Sequence, residues 1–280
     1  MASRRIRVTD FKDRKARGQK ITMLTAYDAT MSRLLDRAGI DALLVGDSLG
    51  MVLLGYENTL PVTIDDVVYH TRAVRRGAEH ALIVADMPFL SYHVSITDAV
   101  RNAGRLLQEG GAAAVKLEGG RPVLDVVRRL VDIGIPVMGH LGLQPQSVHK
   151  VGGYIRCATS PREAEALLVD AYALQQAGAF AVVLECIPAN VAEHVTAELT
   201  IPTIGIGAGP HCDGQILVSH DMVGLCDYQP PAFVKQYINV ADAIVSAARS
   251  YSDDVRNGRF PISSSKERMT ASEETLTPQH

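Results

Sequence analysis

The segment AAVKLEGG, residues 113–120, decides the fold. It opens on small and β-branched residues, as a strand buried on both faces does. It then delivers two charged groups, Lys116 and Glu118, two residues apart and so on the same side of a strand. Four other short apolar runs are built alike: ALLVGDS (42–48), ALIVADMP (81–88), PVMGHLG (136–142) and AVVLECIP (181–188). Their polar residues are Asp47, Asp86, His140 and Glu185. A carboxylate at the end of a buried strand is costly unless something pairs with it. Five such segments point to one shared site, most economically a cation bound by oxygen ligands.

Helix-like stretches ending in Ala-Gly or Gly-Gly precede three of these runs: RLLDRAGI (33–40), RLLQEGGAAA (105–114) and YALQQAGAF (172–180). The recurring unit is helix, glycine cap, buried strand, polar residue, loop. ITMLTAYD (21–28) and PTIGIGAG (202–209) fit it, and HDMVGL (220–225) is a weaker eighth strand. Helix starts are signposted by Ser160-Pro161-Arg162-Glu163, Thr63-Ile64-Asp65-Asp66 and Ser95-Ile96-Thr97-Asp98, each a cap residue with an acid three positions on. Eight strand–helix units predict a (β/α)8 TIM barrel, an α/β fold whose chemistry gathers at the C-terminal rim of many strands. An open doubly wound sheet would concentrate it near one switch point.

Length agrees: 280 residues with no Pro/Gly/Ser-rich linker make one catalytic barrel, expected over residues 21–261. Residues 1–20 form a basic arm with eight Lys or Arg, in which Thr9-Asp10-Phe11 reads as the cap of a short helix closing the barrel bottom. Its acidic residues and the absence of a Ser-rich character argue against a targeting peptide. Residues 262–280 read as a polar, disordered tail. A formal net charge of −3 gives no case for nucleic acid, and no apolar run approaches the ~18 residues of a membrane span. Cys157, Cys186, Cys212 and Cys226 show no CxxC spacing, so reduced thiols in a cytoplasmic enzyme are expected. Cys186 reads as packing, pointing away from Glu185.

Asp47 and Asp86 are the leading metal ligands, with Glu118 binding directly or through water. Hard oxygen donors without a Cys or paired-His motif favour Mg2+. Either aspartate alone would read better as a turn or helix cap; it is the set that favours a metal. Lys116 and Glu118 form either a structural ion pair or a device in which the ammonium neutralises a substrate carboxylate or enolate oxygen. Glu185 follows Ala, Val, Val and Leu, dry surroundings in which desolvation makes a carboxylate a better base. His140 is either structural or a polarising partner. The GIGAG loop (205–209) is a phosphate-binding turn or simply a tight βα turn; His211 and Asp213 add no decisive spacing. Together these residues predict metal-assisted enolisation of a 2-oxo acid, followed by attack of the enolate on an electrophilic carbon.

The strings ITMLTAYD, LLVGDSLGMVLLGYENTLPVTIDDVVYHTRAVRRGA, VKLEGG, GHLGLQPQSV, GGY, LECIP and IGIGAG with DGQILV resemble the 3-methyl-2-oxobutanoate hydroxymethyltransferase (ketopantoate hydroxymethyltransferase) family, in order from about Ile21 to Pro261. The resemblance implies a (β/α)8 barrel that transfers a one-carbon unit from 5,10-methylenetetrahydrofolate to 3-methyl-2-oxobutanoate in pantothenate biosynthesis. It implies one Mg2+ per subunit and assembly as a decamer. By motif it implies metal at Asp47, Asp86 and Glu118, the oxo acid against Asp47, Ser48, Asp86 and Lys116, Glu185 as proton acceptor, and a supporting His140. The basic arm, the tail after Pro261 and the residues between Gly153 and Pro161 depart from the shared pattern. The competing readings are a folate-independent, metal-dependent lyase of the phosphoenolpyruvate/pyruvate barrel type, and a non-catalytic metal- or metabolite-binding oligomer on the same scaffold.

Overall fold

The protein was analysed as a computed structural model that describes residues 4–153, 155–226 and 228–261. Eight strands run β1 (Ile21–Thr25), β2 (Ala42–Val45), β3 (Leu82–Asp86), β4 (Ala114–Glu118), β5 (Val137–Gly142), β6 (Ala181–Glu185), β7 (Thr203–Ile206) and β8 (Gly214–Leu217). All pair in parallel with their neighbours in chain order, and β8 pairs with β1 to close the barrel. Helices α1 (Val8–Ala16), α2 (Ala29–Arg37), α3 (Leu49–Val52), α4 (Ile64–Gly77), α5 (Ile96–Gln108), α6 (Leu124–Asp132), α7 (Val148–Val151), α8 (Pro161–Gln176) and α9 (Ala189–Glu198) come before and between the strands. The expected barrel is therefore present.

Strand parity positions the site. The interior is filled by Ile21 and Met23, Ala42 and Leu44, Leu82 and Val84, Ala114, Met138, Ala181 and Val183, Ile204 and Ile216. These residues alternate along each strand, because successive side chains point to opposite faces. Continuing by two residues from the last apolar position reaches Asp86 on β3, Lys116 then Glu118 on β4, His140 on β5 and Glu185 on β6. The apolar layers thus lie beneath a polar layer at the C-terminal rim. Phe11, fully buried on α1, joins the same core and meets Phe180 edge-on at 5.5 Å between ring centroids. The expected short helix does close the barrel bottom. Its cap is Arg7, not Thr9: the Arg7 amide donates to Asp10 Oδ2 at 2.8 Å.

The three predicted caps form as expected. Thr63 and Asp66, and Ser160 and Glu163, make reciprocal capping boxes, and the Ser95 hydroxyl accepts from the Asp98 amide. Two expectations need correction. The eighth strand is Gly214–Leu217, whereas Ser219–Val223 forms a short helix, α10. Strand β8 carries an exposed Gln215 beside buried Ile216, too short and polar to register as an apolar run. It begins with glycine because a Cβ at 214 would come within 2.5 Å of the Ile21 carbonyl oxygen across the closing seam. Nor does every strand have its helix: β7 and β8 are joined by residues 207–213 without one.

Contacts divide the described residues into two units. The larger runs to His220 and takes in Pro231–Val234. The smaller comprises residues 221–230 and the chain from Lys235 onward. Its main element is α11 (Val240–Arg256), capped by Asn239, whose side chain accepts from the Asp242 amide. The tail expected at 262–280 and Tyr154 of the GGY string lie outside the described residues. Among the described residues no helix is long and apolar enough to cross a membrane.

Candidate active site

Register brings the rim residues together. Across β3 and β4, Asp86 is level with Lys116; across β4 and β5, Glu118 is level with His140; across β5 and β6, Gly142 is level with Glu185. Lys116 Nζ lies 2.8 Å from Asp86 Oδ1, with both side chains almost fully buried. The distance is that of an ion pair, although Asp86 Oδ1 gains no aligned hydrogen bond from it. The close carboxylate of Lys116 is therefore on the neighbouring strand, rather than Glu118 on its own. Lys116 Nζ also lies 3.4 Å from His140 Nδ1, which is 3.5 Å from Glu118 Oε1. On its other side His140 Nε2 approaches Glu185 Oε2 at 3.0 Å, close but short of hydrogen-bond alignment.

Asp47 arrives differently. It follows β2 by two residues, and Gly46 holds the inward position, where a Cβ would stand 2.8 Å from Ser48 Oγ. The turn carries Asp47 over the rim, so that its amide donates to Asp86 Oδ2 at 3.3 Å. Ser48 Oγ shares a 2.8 Å hydrogen bond with the Tyr27 hydroxyl. All seven residues expected at the site are thus gathered at one end of the barrel.

Two further residues carry no charge and were missed. Gln146, in the turn Pro145–Ser147 after β5, donates from Nε2 to Asp47 Oδ2 at 2.9 Å and to the Met87 carbonyl at 3.0 Å. Its backbone amide donates to Glu118 Oε2 at 3.1 Å. The buried Tyr92 hydroxyl accepts from the Glu118 amide and donates to Gln146 Oε1 at 2.9 Å. The only sequence signal for Gln146 was its place within GHLGLQPQSV.

Crowding of acids sets the electrostatics. Burial, then the neighbouring Asp86 and Glu118, push the Asp47 carboxyl well above the usual carboxylate range. Burial also raises Asp86, against the pull of Lys116. Burial acts to raise Glu118 too, but His140, Lys116 and the Gln146 amide outweigh it and hold it low. Burial favours the neutral Lys116, yet Asp86, Glu118 and Asp47 keep it an ammonium. His140 is opposed by burial and by Lys116, but Glu118 and Glu185 bring it up to about 9. A histidine whose pKa rises from 6.5 on folding stabilises the fold fully below pH 6.5, and that contribution is lost as pH rises through 9. Metal-free protein is therefore expected to lose thermal stability from pH 6.5 to 9, and His140→Gln to flatten that slope. Parallel slopes in melts of the two proteins would refute the assignment.

Burial and mutual crowding make Asp47 and Asp86 hard to ionise side by side, a strain that a cation between them would relieve. Among the described residues no three His, Cys, Asp or Glu side chains are disposed to hold a metal ion. What the site offers is narrower. Asp47 and Asp86 are adjacent, and Asp86 Oδ1 lacks a hydrogen bond, whereas the Glu118 oxygens face Gln146 and His140. Two carboxylates suffice for Mg2+, which keeps several waters and takes further oxygens from substrate. The residues present fit such an ion.

Other motifs resolve as scaffold. The GIGAG loop is a tight turn with Gly207 at φ 61° and Gly209 at φ 79°; a Cβ on Gly207 would run into the Phe233 ring. Asp213 accepts from the Thr203 amide and pairs with Lys15 at 2.8 Å. Cys186 lies just past β6 at φ 50°, and burial pushes its thiol up to about 11, an unreactive form.

The sequence matches the family described as ketopantoate hydroxymethyltransferase over residues 5–263. It is 58% identical over 262 residues to the 3-methyl-2-oxobutanoate hydroxymethyltransferase of Moorella thermoacetica, covering 93% of this chain and 97% of that one. With the enzyme of the same name from Geobacter sulfurreducens it shares 57% over 254 residues, 91% of this chain and 95% of the relative. Among solved structures, phosphonopyruvate hydrolase in complex with oxalate and Mg2+ superposes with a TM-score of 0.60 at 13% identity, covering 97% and 99% of the two chains. A 2,3-dimethylmalate lyase superposes with a TM-score of 0.57 at 15% identity, covering 96% and 99%. At such identities the likeness is one of fold alone.

Proposed function

The chain belongs to the ketopantoate hydroxymethyltransferase family, whose enzymes use methylenetetrahydrofolate, and from that premise we propose how its rim residues divide the work. The reaction consumes 3-methyl-2-oxobutanoate, 5,10-methylenetetrahydrofolate and water and yields 2-dehydropantoate and tetrahydrofolate, a step of pantothenate biosynthesis. The sequence identity decides against the lyase reading, which shares only the barrel.

Asp47 and Asp86 would hold Mg2+, one ion per subunit, with Glu118 reaching it through water. When bound there, such an ion would supply Lewis acidity that polarises the keto group of the oxo acid and makes its C3 proton easier to remove. The chain's residues do the rest. Lys116, kept cationic by its carboxylate neighbours, faces the oxygen that becomes the enolate. Ser48, held by Tyr27, hydrogen-bonds the oxo acid. Glu185 removes the proton from C3, the C–H electrons forming the C2–C3 double bond of the enolate. His140 stands against Glu185 and keeps its carboxylate aimed. Folate opens to its N5 iminium as N10 takes up a proton, matching the one that Glu185 removes, and C3 attacks the iminium carbon to make the new carbon–carbon bond. Water then gives its hydroxyl to that carbon as the carbon–N5 bond breaks, and its other proton goes to N5 of the departing tetrahydrofolate. The observation that carries this division is the continuous row Glu185, His140, Lys116, Asp86, buried beyond the half-buried Glu185, with Asp47 beside its end.

The catalytic region is taken as residues 21–261. Among the described residues no disulfide joins the cysteines, in keeping with a cytoplasmic enzyme. Assembly into homo-oligomers, decamers by family likeness, is checked by light scattering of the purified protein. The test of function is to strip metal, supply both substrates and follow 2-dehydropantoate. Product is expected only after Mg2+ is returned. Product in thoroughly metal-free enzyme would refute the metal reading, and none with any divalent cation would refute the activity.

A further inference from the structure

We propose that Gln146 is a positioning residue for Asp47, and that Tyr92 fixes which way its amide faces. This rests on the reading of Asp47 as a metal ligand. Gln146 is 5% exposed, and each of its side-chain polar atoms has a partner. Its orientation is determined by elimination. Asp47 Oδ2 and the Met87 carbonyl are acceptors, so the NH2 end must face them. The flipped amide would set its oxygen against the Met87 carbonyl, an acceptor with no proton to give. Tyr92 locks the choice from behind: its hydroxyl already accepts from the Glu118 amide, which leaves its proton for Gln146 Oε1 or the Glu118 carbonyl at 3.2 Å.

The chemistry of a neutral donor matters here. A second lysine at this point would satisfy Asp47 and also cancel its charge. An amide stabilises the carboxylate while leaving the full negative charge for a cation. With Oδ2 engaged, Asp47 presents Oδ1 as its open oxygen. The same residue, through its backbone amide, draws Glu118 Oε2 into place. Gln146 therefore ties the turn after β2 to the end of β4 from a loop that belongs to β5. Partners of this kind orient metal ligands, and losing one typically costs about 10–100-fold in metal affinity.

The test is calorimetric titration of metal-stripped protein with Mg2+ alone, comparing wild type, Gln146→Met, Tyr92→Phe and the double variant. Gln146→Met is expected to raise the Mg2+ Kd about 10–100-fold. Tyr92→Phe should raise it less, and the double variant no more than Gln146→Met alone, because the pair acts as one unit. Turnover of Gln146→Met should recover in excess Mg2+, which a general loosening of the fold would not allow. Unchanged affinity in a folded Gln146→Met protein, or effects that multiply in the double variant, would overturn the proposal. If Gln146→Met does not fold, Tyr92→Phe, which lacks a single oxygen, decides: unaltered Mg2+ affinity overturns it. Wild-type protein that binds no Mg2+ would instead defeat the reading of Asp47 as a ligand.

Discussion

Glu185→Gln is expected to abolish exchange of the C3 proton of 3-methyl-2-oxobutanoate with deuterated water and to lower turnover by about 10^2–10^4-fold, the usual worth of a positioned base. Glu185 is the last residue of β6, and parity with Ala181 and Val183 turns it inward above the apolar layers. Its side chain keeps 16% exposure, so it is less sealed than its apolar run implied, and it meets the imidazole of His140 at 3.0 Å. The amide is of equal size and keeps an oxygen for His140, so the barrel should fold and Mg2+ and oxo acid should still bind. What disappears is the lone pair that accepts the proton. Deuterium appearing at C3 at the wild-type rate would remove Glu185 from the role and leave His140 the nearest alternative.

Lys116→Met carries the largest expected effect on the fold. Lys116 is 4% exposed and faces Asp86 at 2.8 Å, with Glu118 and Asp47 also within its field. Breaking a buried pair from one side costs about 3–5 kcal/mol, here a fall in Tm of roughly 10 °C at pH 8. The stranded Asp86 will take a proton rather than remain charged. A carboxyl whose pKa is raised on folding costs stability as pH climbs above its unfolded value, so the deficit should be largest at pH 8 and shrink towards pH 5. Mg2+ should restore part of it, since the ion replaces a lost positive charge. Equal melting temperatures for variant and wild type at pH 8 would show that the pair contributes nothing to the fold. Turnover should fall whatever the pH, because the enolate oxygen loses its fixed cation.

The barrel was legible because its strands are short, buried on both faces and punctuated by glycine-capped helices. Parity made Lys116 and Glu118 readable as neighbours on one side. It did not reveal that Lys116 pairs with Asp86, since register between strands is set by the closing of the whole sheet. Asp47 was readable as polar but not as inward-facing, because the turn after Gly46 breaks the alternation. Gln146 and Tyr92 escaped for a different reason: neutral hydrogen-bonding residues raise no electrostatic flag until their partners are located. Strand β8 was misplaced because glycine there answers to the backbone of β1, a contact no local pattern records.

Phe11 has a consequence for trimming. Its ring belongs to the barrel core and meets Phe180 edge-on, so a chain cut back to Ile21 would open a cavity beneath the apolar layers. The rim would then rest on a loosened floor, although none of its own residues had been touched.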